Sequence, residues 1–234
     1  MSEIVTYEAQ DGCEVELTPA RIVNEIVPQK YRNSIDERAA AVLIAKLSAR
    51  RMNPLAGDCT IGVFKGVPTI MPSIGYYRRV AASVETFDGV EKGVIVLTPD
   101  GRLHELEGSF YIPEEGDVLV GGWCKAYDKG RSRPVVCKVA MAEYDQKNTM
   151  WEEKPGTMIQ KVAESQALRE LYPGKFDGTY TREELPAEDP RAVVAAPAEA
   201  EVEIPDFEFA DEAEVEIPDF EFADETDAPD GAEG

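Results

Sequence analysis

The sequence predicts an α+β domain built from hairpins backed by helices, followed by a disordered acidic C-terminal tail. Three observations predict it. Pairs of short β-branched or alternating runs are joined by tight-turn residues. Between them stand helical stretches that open on capping residues or proline. After Pro186 the composition changes to Ala, Pro and acidic residues. A chain of 234 residues can hold one generous domain or two small ones. The boundaries read as a lead-in over 1–17, a folded body over 18–186 and a tail over 187–234.

Met1–Glu16 has little periodicity and reads as a loose lead-in or an edge strand. Thr18-Pro19 opens a short helix, since Thr caps and Pro suits the first helical position; the helix ends before Pro28. Ser34-Ile-Asp-Glu37 has the spacing of a capping box. Behind it Ile35, Ala39, Val42, Leu43 and Leu47 recur at helical spacing, and the helix stops by Asn53-Pro54. Arg50 and Arg51 in its last turn complement the helix dipole, with DNA contact as the competing reading. Cys59–Phe64 and Val67–Met71 form a hairpin across Lys65-Gly66, and Pro68 confines the second arm to an edge or an early strand position. Ser73 caps a helix from Ile74 to about Val84, in which Tyr76, Tyr77, Val80 and Val84 turn partly inward and at least one of Arg78 and Arg79 faces out. A second hairpin joins Gly93–Leu97 to Leu103–Tyr111 through Pro99-Asp100-Gly101. A third pairs Val118–Tyr127 with Arg133–Tyr144. A helix runs from Pro155 to Leu171 and stops at Tyr172-Pro173-Gly174. Thr181 caps a further turn.

The chain carries 46 acids and 24 bases, a net −22. That sum argues against a polyanionic partner until it is divided. Residues 187–234 hold 18 acids and one base, Arg191; residues 1–186 hold 28 acids and 23 bases. Within the body, Trp123–Lys138 has five bases against one acid. In the tail the thirteen residues Ala200–Glu212 repeat unchanged as Ala213–Glu225. Two copies are too few and too polar for a solenoid, and the tail reads as disordered in isolation. Its apolar anchors are Ile204, Phe207 and Phe209 with their copies. Three roles stand open for it: competing with DNA, docking on a partner through Ile-Pro-Asp-Phe, or keeping an oligomer soluble.

An enzyme is the weaker class, and the carboxylate cluster that a Mg²⁺-dependent nuclease needs stays open among the body's many acids although no motif points to one. No Walker-type phosphate loop and no dinucleotide fingerprint occur. His104 is the single histidine, which removes most His-based metal sites and catalytic dyads. Cys13, Cys59, Cys124 and Cys137 are scattered and read as reduced thiols of a cytosolic protein. Cys124 and Cys137 can face one another across the hairpin in a register that sequence does not set. The N-terminus is not a signal peptide, and no segment approaches the ~20 apolar residues that span a bilayer.

What remains is a pattern of cations and aromatics. Trp123, Lys125, Tyr127 and Lys129 share a strand face, and Arg131 and Arg133 follow the turn. Such a row suits stacking and phosphate neutralisation, or equally a solvated edge strand guarded by its charges. On the Pro155 helix, Lys161, Ser165 and Arg169 share a face, with Lys154 on roughly the same side. Trp151 either stacks on a base or staples the helix start to the sheet.

Three blocks then stand in order over about residues 39–185. The first is Met52-Asn53-Pro54, the strand pair after it, and Pro72-Ser-Ile-Gly75-Tyr-Tyr-Arg-Arg-Val. The second runs from Gly122-Trp123 through Lys129, Arg131 and Pro134 to Glu143-Tyr144. The third is Trp151, Pro155, Met158-Ile159, Lys161, Ala163, Gln166-Ala-Leu-Arg169 and Tyr172-Pro173, closed by Gly178-Thr-Tyr180-Thr-Arg-Glu-Glu184. In residues, order and spacing they resemble the RecT/Bet (Redβ) family of phage single-strand annealing recombinases.

The resemblance implies a small twisted antiparallel sheet backed by helices, similar to the eukaryotic strand-annealing fold. It implies an ATP-independent protein of the bacterial host's cytoplasm that coats single-stranded DNA as a ring or helical filament. Such a homo-oligomer pairs its strand with a complement, holds the annealed duplex as well as the single strand, and performs no covalent step. The alternative is a passive single-strand binder. No cofactor is implied, Mg²⁺ entering only through the DNA. Implied partners are an exonuclease and a host single-strand binding protein, and no membrane. The positions placed against DNA are Lys125, Lys129, Arg131, Arg133, Trp151, Lys154, Lys161, Gln166 and Arg169, converging in a groove between the basic hairpin and the Trp151–Tyr172 helix. Gly156, Thr157 and Val162 depart from relatives that carry bases there. The repeated acidic tail stands where some relatives have a folded helical domain.

Overall fold

Four residues of alternating exposure on each arm close the first hairpin, in which β1 (Val5–Glu8) pairs antiparallel with β2 (Glu14–Leu17). The computed structural model describes residues 4–64 and 66–185. Residues 1–3 of the expected lead-in, Lys65 of the expected hairpin turn, and the tail expected to be disordered lie outside the described residues. Val15 and Leu17 enter the main core, and the Tyr7 hydroxyl donates to the Met52 carbonyl at 2.5 Å. Of the two expectations for this stretch the edge strand holds and the loose lead-in does not: both arms of the two-stranded hairpin are edges, and the hairpin packs on the core. Its arms are too short for alternation to stand out in sequence.

Thr18 caps α1 (Pro19–Arg21) by accepting from the Arg21 amide, and the chain winds on as a π-helical turn to Ile26, short of Pro28. The next helix, α2 (Glu37–Ala49), starts two residues later than the capping-box spacing suggests. Asp36 is its cap and accepts from the Ala39 amide at 2.7 Å, while Ser34 closes a 3-10 segment. A carboxylate at that position both satisfies an orphan N–H and meets the positive end of the helix dipole. Ala40, Leu43, Ile44 and Leu47 are its buried face; Val42, expected inward, is exposed.

β3 (Cys59–Phe64) and β4 (Val67–Pro72) form a two-stranded ribbon in which Pro68 is tolerated because both strands are edges. α3 (Ile74–Ala82) follows, with Ser73 accepting from the Tyr76 amide as expected. The main sheet contains β5 (Phe87–Leu97), β6 (Leu103–Glu107), β7 (Val118–Asp128) and β8 (Val135–Ala140), all antiparallel in the order β6-β5-β7-β8. The arm expected to reach Tyr144 ends at Ala140 and turns into α4 (Met141–Tyr144).

Asn148 caps α5 (Thr149–Glu153). α6 (Pro155–Leu171) has the bounds its proline start and Tyr172-Pro173 stop dictate. After α7 (Pro173–Phe176), a turn at Arg182–Glu184 closes as a reciprocal box between Thr181 and Glu184. α6 lies on the sheet face formed by Val94, Val96, Cys124, Ala126, Val135 and Val139, all buried. A side chain at Gly122 would put its Cβ 2.8 Å from the Ile159 carbonyl oxygen, so the glycine sets how closely helix and strand approach. α3, α4, α5 and α7 also pack on α6. Only Thr157 and Glu170 of its seventeen residues are fully exposed. Among the described residues no helix is long and apolar enough to cross a membrane.

Candidate nucleic-acid interface

β7 divides its side chains by alternation, and the division decides which cations share a face. Gly122, Cys124 and Ala126 turn toward α6, which places Trp123, Lys125 and Tyr127 on the opposite face of the sheet. The Trp123 indole lies across Gly93 and donates to the Leu106 carbonyl at 3.2 Å, leaving the residue 6% exposed. Lys125 Nζ sits 5.1 Å from the centre of that ring and 3.7 Å from Glu91. The expected row exists, but it faces away from α6. Lys125 therefore does not share a groove with Lys161 and Arg169, which corrects the expected convergence.

The tip of the β7–β8 hairpin is fixed at its base. The Asp128 carboxylate accepts from the Thr86 hydroxyl at 2.6 Å, the Tyr172 hydroxyl at 2.7 Å and the Gly130 amide at 2.7 Å. The Lys129 amide donates to the Thr86 carbonyl at 2.7 Å. The hydrogen bonds from Thr86 and Tyr172 hold the Asp128 carboxyl below the usual carboxylate range. Burial, reinforced by the bond to Asp128, pushes the Tyr172 phenol up to about 12. These contacts tie the tip to the start of β5 and the end of α6. From that base Lys129, Arg131 and Arg133 extend, all exposed and none in a salt bridge among the described residues.

The cations of α6 are differently placed. Arg169 grips the Glu184 carboxylate through Nη2 at 2.5 Å and Nη1 at 3.2 Å. Its Nη1 also donates to the Thr179 carbonyl at 3.0 Å, and the guanidinium lies 4.7 Å over the Tyr180 ring. Lys161 Nζ is 3.6 Å from Glu183. The segment Thr179–Glu184 thus lies over the Lys161–Arg169 face and neutralises it. Ser165, between them, is buried and donates to the Val162 carbonyl. Gln166 points toward β8 and α4, where its amide accepts from Cys137 Sγ of β8 at 3.3 Å and donates to the Tyr144 hydroxyl of α4 at 2.8 Å. Lys154 is exposed with no salt bridge among the described residues.

Trp151 is 2% exposed. Enclosed in the core, its ring has no face open to a base, so the stacking reading does not describe this structure. Arg131 and Arg169 do lie at the same end of α6, joined through Asp128 and Tyr172, with Lys161 two turns back. They do not form one open trough, because Thr179–Glu184 covers two of the three.

A second group of charges escaped the sequence reading. Glu164, on α6 and 1% exposed, accepts from Arg78 Nε and Nη2 of α3, each at 2.7 Å, and from Lys92 Nζ of β5 at 2.6 Å. Burial pushes the Glu164 carboxyl up, but the two cations outweigh it and hold the pKa below the ordinary value. Next to it Arg79 pairs with Asp58, which is fully buried. The available signal was Glu164 itself, an acid among Val162, Ala163 and Ser165, together with two arginines in mid-helix on an otherwise apolar α3. Arg50 and Arg51 have structural partners: Arg50 donates to the Asp177 carbonyl and Arg51 pairs with Glu8. Among the described residues no cluster of three or more His, Cys, Asp or Glu could hold a metal ion.

Comparison with known families gives one match. The family model described as RecT matches residues 18–196. No curated protein matches the chain.

Proposed function

The chain belongs to the RecT family of phage-type single-strand annealing and recombination proteins, and from that premise we propose that it binds single-stranded DNA and pairs it with a complementary strand without ATP. The family match is the observation that carries this reading. The exposed cations of the hairpin tip, Lys129, Arg131 and Arg133, which form no salt bridge among the described residues, support it. A cation already saturated by a buried carboxylate has little left for a phosphate, whereas an exposed unpaired one releases counterions when it binds. Lys154 adds to the same class, and Arg169 and Lys161 contribute only if Thr179–Glu184 moves aside.

Annealing makes and breaks no covalent bond. Its obstacles are phosphate repulsion and the encounter of two strands. Cations lower the first, and local concentration on a homo-oligomer lowers the second. No cofactor enters this scheme, Mg²⁺ acting through the DNA alone. An exonuclease would supply the strand, and a host single-strand binding protein would be the competitor to displace.

The test is the rate at which two complementary oligonucleotides become duplex with and without the chain at low salt. The proposal expects acceleration without ATP. A passive coat would slow pairing, and Mg²⁺-dependent loss of the oligonucleotides would point to a nuclease instead.

A further inference from the structure

We propose that Arg78 and Lys92 form a second phosphate subsite on this chain, with Glu164 as the positioning residue that holds both cations in place. The inference rests on the single-stranded DNA reading above and adds a location to it.

Two cations meet one carboxylate, so the cluster keeps a surplus positive charge. Arg78 uses Nε and Nη2 on Glu164, and Nη1 makes no bond to it. Lys92 spends one of its three donors there. The Arg78 side chain is 50% exposed and that of Lys92 28%, whereas Glu164 is 1% exposed. The acid is thus hidden and the cations open outward. A guanidinium gripped on one edge has already lost its rotamer freedom, so its free edge meets a phosphate at less entropic cost.

Position supports the same assignment. β6 pairs with Val94–Leu97 and Gly108 donates to the Lys92 carbonyl, which leaves Phe87–Glu91 with no partner strand on that side among the described residues. Phe87 stands opposite Asp128, at the root of the cationic tip, and Lys92 opposite Cys124. Five residues of strand separate the two, about 16 Å. A polynucleotide laid along this free edge meets Lys129, Arg131 and Arg133 at one end and Arg78 with Lys92 at the other. Asp88 is exposed between them, while Glu91 is within reach of Lys125 on the far face.

The test uses the full chain and a fluorescent oligothymidylate, with affinity measured across a salt series. The charge-balanced variant Arg78→Met/Glu164→Met leaves net charge unchanged and removes the ion pair between half-exposed Arg78 and buried Glu164, its urea midpoint showing that it is folded. It is expected to bind several-fold more weakly, with a log K against log salt slope shallower by about 0.7. Glu164→Gln is the second arm. It makes the chain more positive, so charge alone predicts tighter binding, while loss of positioning predicts weaker binding by the folded variant. An unchanged slope in the double variant, or tighter binding by Glu164→Gln, overturns the subsite. If the unmodified chain shows no salt-dependent binding, the DNA reading itself falls. If it binds and only the double variant fails to differ, that reading stands and the subsite alone is lost.

Discussion

Two sets of cations lie at or near α6, and they have opposite relations to the fold. Lys129, Arg131 and Arg133 extend from a hairpin tip whose base is tied down by Asp128, and no carboxylate among the described residues neutralises them through a salt bridge. Arg169 is gripped by a carboxylate that is itself 3% exposed, beneath a segment that also supplies Glu183 to Lys161. A count of positive charges cannot separate the two sets. Burial of the partner can. A cation matched one-to-one by a carboxylate inside the protein holds structure together, whereas one whose counter-ion is solvent, or that shares a single buried carboxylate with a second cation, keeps charge for a polyanion.

The largest expected effect breaks the second set. Arg169→Ala leaves Glu184 buried without its partner and should cost about 3–5 kcal/mol of stability. Urea unfolding measures it. A variant that keeps its unfolding midpoint but loses DNA affinity would move Arg169 into the first set. The smaller acid-pH effect concerns Glu164. Its folded pKa lies below the ordinary carboxylate value of about 4.3, so its contribution to stability is fully present above that pH. The contribution is lost as pH falls through the lower, folded value. The urea midpoint of the unmodified chain should therefore drop in that acid window, and the Arg78→Met/Glu164→Met variant should lack that part of the drop. Parallel titrations of both proteins would contradict it.

Local rules made much of this fold legible. Pro155 and Tyr172-Pro173 bound α6 as written, Ser73 and Thr18 cap where they stand, and the Pro99-Asp100-Gly101 break separates the right strands. The failures share a cause. Alternation identified Trp123, Lys125 and Tyr127 as one face, but which face of the sheet α6 covers depends on Gly122 and its approach to Ile159. Helical spacing aligned Lys161 with Arg169, but the acids that neutralise them come from a turn more than ten residues further on. Trp151 looked like a stacking platform because its type and place allow both roles, and only packing chooses. The three blocks that resembled the RecT family needed none of this geometry, which is why the family was readable when the disposition of its cations was not.

The account depends most on the free tip. The direct measurement is the salt dependence of oligothymidylate binding by the variant Lys129→Ala/Arg131→Ala/Arg133→Ala, set beside its urea midpoint. These side chains are exposed and form no salt bridge among the described residues, Arg131 acting on Asp128 only at longer range, so stability should stay within about 0.5 kcal/mol of the unmodified chain. Three lost contacts should make the slope of log K against log salt shallower by about 2. The same slope in both proteins would contradict the assignment of DNA to this tip.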